Sequence, residues 1–175
     1  MWDVPHMAIK PTSEVIIISG TIDESAANTT TTKEFDLQLN PLDNEAFMVL
    51  GVQSDLAYPD AVDAINTGVG FSLSTTSRNS LGNLSSTNVF HVHNMGIRGS
   101  GGTTDGAAFD QVGPDSPQAM NLDYICLIAT DQFYAQIAGQ GNTAAKSADF
   151  KIYGRRVKLD SAQYAALVQS ELLSS

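Results

Sequence analysis

Residues 33–40 read KEFDLQLN, with Phe35, Leu37 and Leu39 alternating strictly with Asp36, Gln38 and Asn40. Only an extended chain sends successive side chains to opposite faces, so this period of two demands a strand with one buried and one wet face. The stretch 69–77, VGFSLSTTS, alternates in the same way. Between and around these lie short β-branched or apolar runs at 14–22, 46–56, 88–97, 122–129, 132–139 and 147–160, separated by clusters of Gly, Pro, Asn, Asp and Ser. That punctuation is the signature of turns between strands. The result is eight strands, with no internal repeat and no alternation of strand with helix, which argues against a parallel α/β fold.

Only the C-terminus has a helical period. Asp160 with Gln163 three residues on makes a capping-box start, and Tyr164, Leu167, Val168 and Leu172 then share one face. The loop 57–68 holds at most one helical turn, and 98–119 is the longest irregular stretch. Phe150 and Ile152 share one face of their strand while Val157 and Leu159 lie on the other, so Gly154 marks a bulge. Eight short strands with a long crossing loop fit an all-β, eight-stranded jelly-roll β-sandwich. The expected division is an extended N-terminal arm at 1–13, the sandwich at 14–160 and a short C-terminal helix and tail at 161–175. Alternation places Val15, Ile17, Phe35, Leu37, Phe47, Val49, Phe71, Leu73, Phe90, Val92, Tyr124, Cys126, Ile128, Phe133, Phe150 and Ile152 in the core.

The stretch FHVHN at 90–94 puts His91 and His93 on one strand face, the way many metal sites begin. A catalytic zinc needs a third ligand, and the only other histidine, His6, lies in the N-terminal arm. Cupins carry an HxH followed by a nearby Glu and a later His, and neither follows here. His91 and His93 are therefore candidate metal ligands only on paper. The expectation is no metal and no cofactor, with both imidazoles on a half-wet face paired to neighbours such as Asp or Ser. No nucleophile elbow, P-loop or dinucleotide fingerprint is present. Asp55, Asp60 and Asp63 lack calcium-loop spacing and read as a solvated loop.

The net charge is −10, from 19 acids and 9 bases, the reverse of a free nucleic-acid binder. Five of the nine bases (Lys146, Lys151, Arg155, Arg156 and Lys158) crowd into 146–158, an electropositive strip suited to an acidic neighbour or a phosphate backbone. The single cysteine, Cys126, sits in the apolar run YICLIA and reads as a buried, inert thiol. MWDVPHMAIK carries an early acid and a proline where a signal peptide has its apolar core, and no apolar run approaches the roughly 20 residues of a membrane helix.

The strand order and loop character of 14–160, with LDYICLIATDQFYAQIAG joining two apolar strands at Thr130-Asp131, resemble single jelly-roll capsid and other virion structural proteins. In the lettering of that fold the eight runs become B to I in chain order. The resemblance implies a non-enzymatic, self-assembling capsid or capsid-decorating subunit, located in the virion after assembly in the host cytoplasm. Its implied partners are copies of itself and other virion proteins, with enclosed nucleic acid against the 146–158 strip. Trp2, Leu172 and Leu173, apolar residues at both extremities, join the strip as expected assembly contacts. The alternatives from other classes are a cupin-like metalloenzyme and a carbohydrate-binding β-sandwich.

Overall fold

The computed structural model describes residues 9–99, 106–113 and 122–173, which form two antiparallel sheets and one helix. The strands are β1 (Lys10–Pro11), β2 (Ile16–Asp23), β3 (Thr31–Asp36), β4 (Glu45–Leu56), β5 (Thr67–Ser74), β6 (Val89–Arg98), β7 (Ala107–Gly113), β8 (Cys126–Ile128), β9 (Gln132–Gln140) and β10 (Ser147–Lys158), followed by helix α1 (Ser161–Leu173). One sheet runs β2–β10–β4–β8, with β1 pairing the far end of β10; the other runs β3–β9–β5–β6–β7. With β1 and β7 set aside and the remaining eight lettered B to I, the sheets are B-I-D-G and C-H-E-F. That order is the jelly roll, and the sequence expectation holds.

The two sheets close on an aromatic centre. Phe35 stacks on Phe133 at 5.2 Å between ring centroids, and Phe150 meets Phe35 edge-on at 5.0 Å. Offset and edge contacts of this kind are the favoured arrangements of aromatic pairs. Phe47, Phe71, Leu73, Ile137 and Ile152 complete the same cluster. The ladder of β10 on β4 shifts register between Tyr153 and Gly154, but the extra residue is Leu50 of β4 (Tyr153 pairs with Gly51, Gly154 with Val49), and β10 pairs with β2 without a break; the bulge expected at Gly154 therefore lies on the partner strand. A Cβ at Gly154 would run into the Phe47 ring and come within 2.5 Å of the Met48 carbonyl oxygen, so only glycine fits. By ordinary alternation β10 presents Val157 to the outer face, where Leu167 and Val168 of α1 cover it and Leu159 in a second small cluster with Ala46 and Ala129. Asp160 Oδ1 accepts the Gln163 amide at 2.8 Å and caps α1.

Three further expectations need correction. Val15 and Ile17 are 51% and 57% exposed, because β2 pairs Ile18 with inward Ile152 and Ile17 with outward Tyr153. A continuous apolar run carries no period, so its face is set by the partner strand. The stretch 98–119 is not wholly irregular: 107–113 is β7, an edge strand held by antiparallel pairing to β6 from Val92↔Gly113 to Arg98↔Ala107. Strand β3 ends at Asp36, although Leu37 and Leu39 are buried as expected. Gln38 takes the left-handed conformation (φ 52°), and Asp131 accepts both neighbouring amides, from Leu37 on its carbonyl and from Leu39 on its carboxylate.

Candidate functional site

The histidine pair is where titratable side chains and a cavity meet. β6 pairs Leu73 with His91 and Phe71 with His93, so the imidazoles share the inward face of their sheet with core residues. The half-wet face expected for them is therefore wrong: His91 is 0% and His93 5% exposed. β5 fixes this register, and its inward residues are apolar. The partners are of the expected types. Ser54 Oγ, on β4 of the facing sheet, lies 2.8 Å from His91 Nε2 and 2.7 Å from His93 Nδ1, and His93 Nε2 lies 2.7 Å from Asp110 Oδ1 on β7.

Proton positions follow from the ends of this chain. An ionised Asp110 only accepts, so His93 Nε2 carries the proton, and its Nδ1 is left to accept from the Ser54 hydroxyl. The Ser54 oxygen then accepts from His91 Nε2–H. The network bridges the two sheets and ties β7 to the sandwich. Ser54 also lines a cavity of about 760 Å³ with Val52, Gln53, Phe150, Lys151 and Val112. Sequence reading missed Ser54 and Asp110, which stand 37 and 17 residues from their histidine partners. Among the described residues no three His, Cys, Asp or Glu side chains converge as a metal-binding group, and His6 lies outside them.

The five bases of 146–158 do not form one surface. Lys146 is 9% exposed, with its ammonium 2.5 Å from Asp60 Oδ1. Alternation along β10 divides the others: Lys151 and Arg155 fall on its outer side, while Arg156 pairs opposite inward Phe47 and its guanidinium reaches the Leu37 carbonyl at 3.5 Å. Lys158 is exposed opposite Glu45. Of the terminal residues, Leu172 and Leu173 are 64% and 79% exposed, and Trp2 lies outside the described residues. Cys126 is half-buried, its thiol pushed far up by desolvation and by Glu171, and so held as the unreactive thiol.

Asp60, one of the loop carboxylates, is fully engaged. It accepts from Lys146 Nζ and from the hydroxyl and amide of Thr143, and these bonds hold its carboxyl well below the usual carboxylate range. A carboxyl depressed in the folded state stabilises the fold above its unfolded pKa of about 4 and loses that contribution as pH falls below it. Urea midpoints for the wild type should therefore drop between pH 5 and pH 3 more than those of Asp60→Asn. Equal slopes for the two proteins would show that the contact has no weight in solution.

No family model and no curated protein matches the chain. Among solved structures it is similar to VP1 of Merkel cell polyomavirus, solved as an unassembled pentamer, at 8% identity and TM-score 0.42 over 86% of this chain and 98% of that one. It is also similar to a chain of Desmodium yellow mottle tymovirus, at 11% identity and TM-score 0.31 over 85% and 91%. The likeness is one of outline, and the jelly-roll assignment stands on the chain's own strand order.

Proposed function

We propose that this chain is a virion structural protein, a capsid or capsid-decorating subunit that assembles with copies of itself through its sandwich edges. The observation that carries the reading is β7. Among the described residues it pairs with β6 alone, six of its seven residues are exposed, and Phe109 and Val112 stand 59% and 45% in solvent. A strand edge with one charge and two large apolar side chains is a template for further pairing, which monomeric proteins normally blunt. The opposite sheet offers a second such edge at β2, where Val15 and Ile17 are also exposed. Two unlike edges on one domain suit head-to-tail contacts, which close into rings when the rotation permits. Exposed Lys151, Lys158, Leu172 and Leu173 are the further contacts that such neighbours would meet.

The test is sedimentation velocity across a concentration series, with electron microscopy of the largest species. The wild type should form discrete oligomers. Phe109→Lys combined with Val112→Lys, both changes at exposed positions, should shift the distribution toward monomer by at least about tenfold in apparent Kd while leaving the β spectrum unchanged. A wild type that stays monomeric at millimolar concentration would overturn the reading.

A further inference from the structure

We propose that a cavity on the outer face of the β3–β9–β5–β6–β7 sheet binds a short neutral sugar, two rings long, laid across β9, β5, β6 and β7. The site is independent of the strand edges through which subunits would assemble.

The cavity is built by cross-strand pairing. Gly68 of β5 stands between Gln140 of β9 and Gly96 of β6, and Gly96 in turn faces Phe109 of β7. One step along the strands, Ala138, Gly70, Asn94 and Gln111 make a second row. Val69 and Phe71 belong to the core and Met95 packs against it, so alternation turns both rows outward. The next row, Gln136–Ser72–Val92, is buried, and the Gly82 amide donates to Ser72 Oγ at 2.9 Å. The same segment brings Leu81 over Gly70, which closes one side of the cavity, and Arg98 stands on the other. The enclosed volume is about 740 Å³, in the range of small-molecule sites. From Gln140 to Phe109 the cavity spans three strand spacings, about 14 Å.

Its floor is bare where the fold does not require bareness. Gly68 and Gly96 lie opposite each other inside their strands, and neither has a positive φ. A Cβ on Gly68 would come no nearer than 3.4 Å to the Met95 carbonyl oxygen, and one on Gly96 no nearer than 3.5 Å to that of Thr67. Both are ordinary contacts, so neither packing nor backbone conformation calls for glycine. Glycine inside a strand weakens it, and marks a bulge or a close approach from outside. The register shift of this ladder lies at Leu73 and Ser74, away from the pair, which leaves the close approach.

The side chains around the floor define what approaches. Asn94, Gln111 and Gln140 present exposed amides, each both donor and acceptor, and among the described residues none is tied up by a hydrogen bond of its side chain. Sugar hydroxyls have the same double character. Phe109, 59% exposed, offers one flat apolar face, which matches the C–H face of a pyranose ring. Arg98 is the one charged side chain in the lining, so neither a metal ion nor a polyanion is suited to it. β5 and β6 are paired on both sides, so the floor has no free backbone for a peptide strand. A protein partner would also want a centre of large apolar side chains, and glycine stands there instead.

The test is saturation-transfer NMR on the full chain, a method that tolerates a large assembly, with lactose, cellobiose, mannobiose and diacetylchitobiose as separate probes. At least one should bind saturably with a Kd on the order of 1 mM, with strongest transfer to the C–H protons of one ring face. The deciding variant is Gly96→Val, which fills the floor with a residue that strands favour. It should unfold at a urea midpoint equal to or above the wild type yet bind the same sugar at least about tenfold more weakly. Gln111→Ala, at an exposed position, should weaken binding by a smaller factor. Phe109 is left intact because the assembly test changes it. No saturable binding of any of the four sugars, or wild-type affinity in folded Gly96→Val, overturns the proposal. Gly96→Val should sediment as the wild type does; a shift in its oligomers without sugar binding would make the cavity a subunit contact and also overturn it. Loss of sugar binding leaves the assembly reading untouched, since that is read by sedimentation of the wild type.

Discussion

Phe133→Ala should lower unfolding free energy by about 3–5 kcal/mol, the range for deleting a large aromatic from a site that cannot collapse. Phe133 is 0% exposed and sits at the junction of both sheets. It stacks on Phe35 at 5.2 Å and meets Phe150 and Phe90 edge-on at 5.9 and 6.4 Å. Truncation therefore removes one partner from each of three ring pairs, each worth about 0.5–1.5 kcal/mol beyond its buried area. Collapse is hindered because the neighbours belong to different strands, each locked in its own ladder. Phe71→Ala, also at 0% exposure, should fall in the same range, and Phe35→Ala, half-buried at the edge strand β3, clearly below it. Urea unfolding followed by circular dichroism gives the ordering. Losses under 1 kcal/mol at Phe133 would mean that the sheets do not close on this cluster.

That cluster was legible because alternation identifies faces without knowledge of partners. Phe35, Leu37, Phe71 and Leu73 all declare their side through their polar neighbours, and all four reach the core. The bulge expected at Gly154 misreads the same rule: Phe150 and Ile152 differ from Val157 and Leu159 by ordinary alternation, and the extra residue is Leu50 on β4. Where periodicity is absent, the partner decides. The run 15–18 is apolar throughout, and pairing with β10 alone turns Ile18 inward and Ile17 outward. β7 has little to bury and exists through its ladder with β6, so nothing in its own composition marks it out. The network at the histidines shows the limit most clearly. HVH is a local pattern, but its meaning depends on Ser54 and Asp110, which arrive from a facing sheet and from an edge strand. The charge strip misleads for a related reason. A run of bases along a strand is split between its two faces by the period of two, so Arg155 and Arg156 point opposite ways.

Glu171→Ala should cost about 2–4 kcal/mol, because it removes the carboxylate that accepts from two backbone amides, Ala129 and Thr130. Glu171 is 5% exposed, on a helix whose other residues are half-buried or exposed. Its carboxylate accepts from the Ala129 and Thr130 amides at 3.0 and 2.9 Å, at the turn between β8 and β9. A helix with a broad apolar face would need no such anchor. α1 instead docks through Tyr164, Leu167 and Val168 over the small outer cluster, so its last turn is held by charge-assisted hydrogen bonds. Glu171→Gln keeps one acceptor oxygen and should cost roughly half as much. Hydrogen exchange separates local from global effects: the Ala129 and Thr130 amides should lose protection in Glu171→Ala even where the β4 and β10 amides keep theirs. The same docking changes what removal of 161–175 means. Truncation would uncover Val157 and Leu159, so a chain lacking α1 should be destabilised and sticky, quite apart from any contact that Leu172 and Leu173 make with a neighbour. If Glu171→Ala unfolds at the wild-type midpoint with both amides still protected, α1 is carried by its apolar face alone and the carboxylate is incidental.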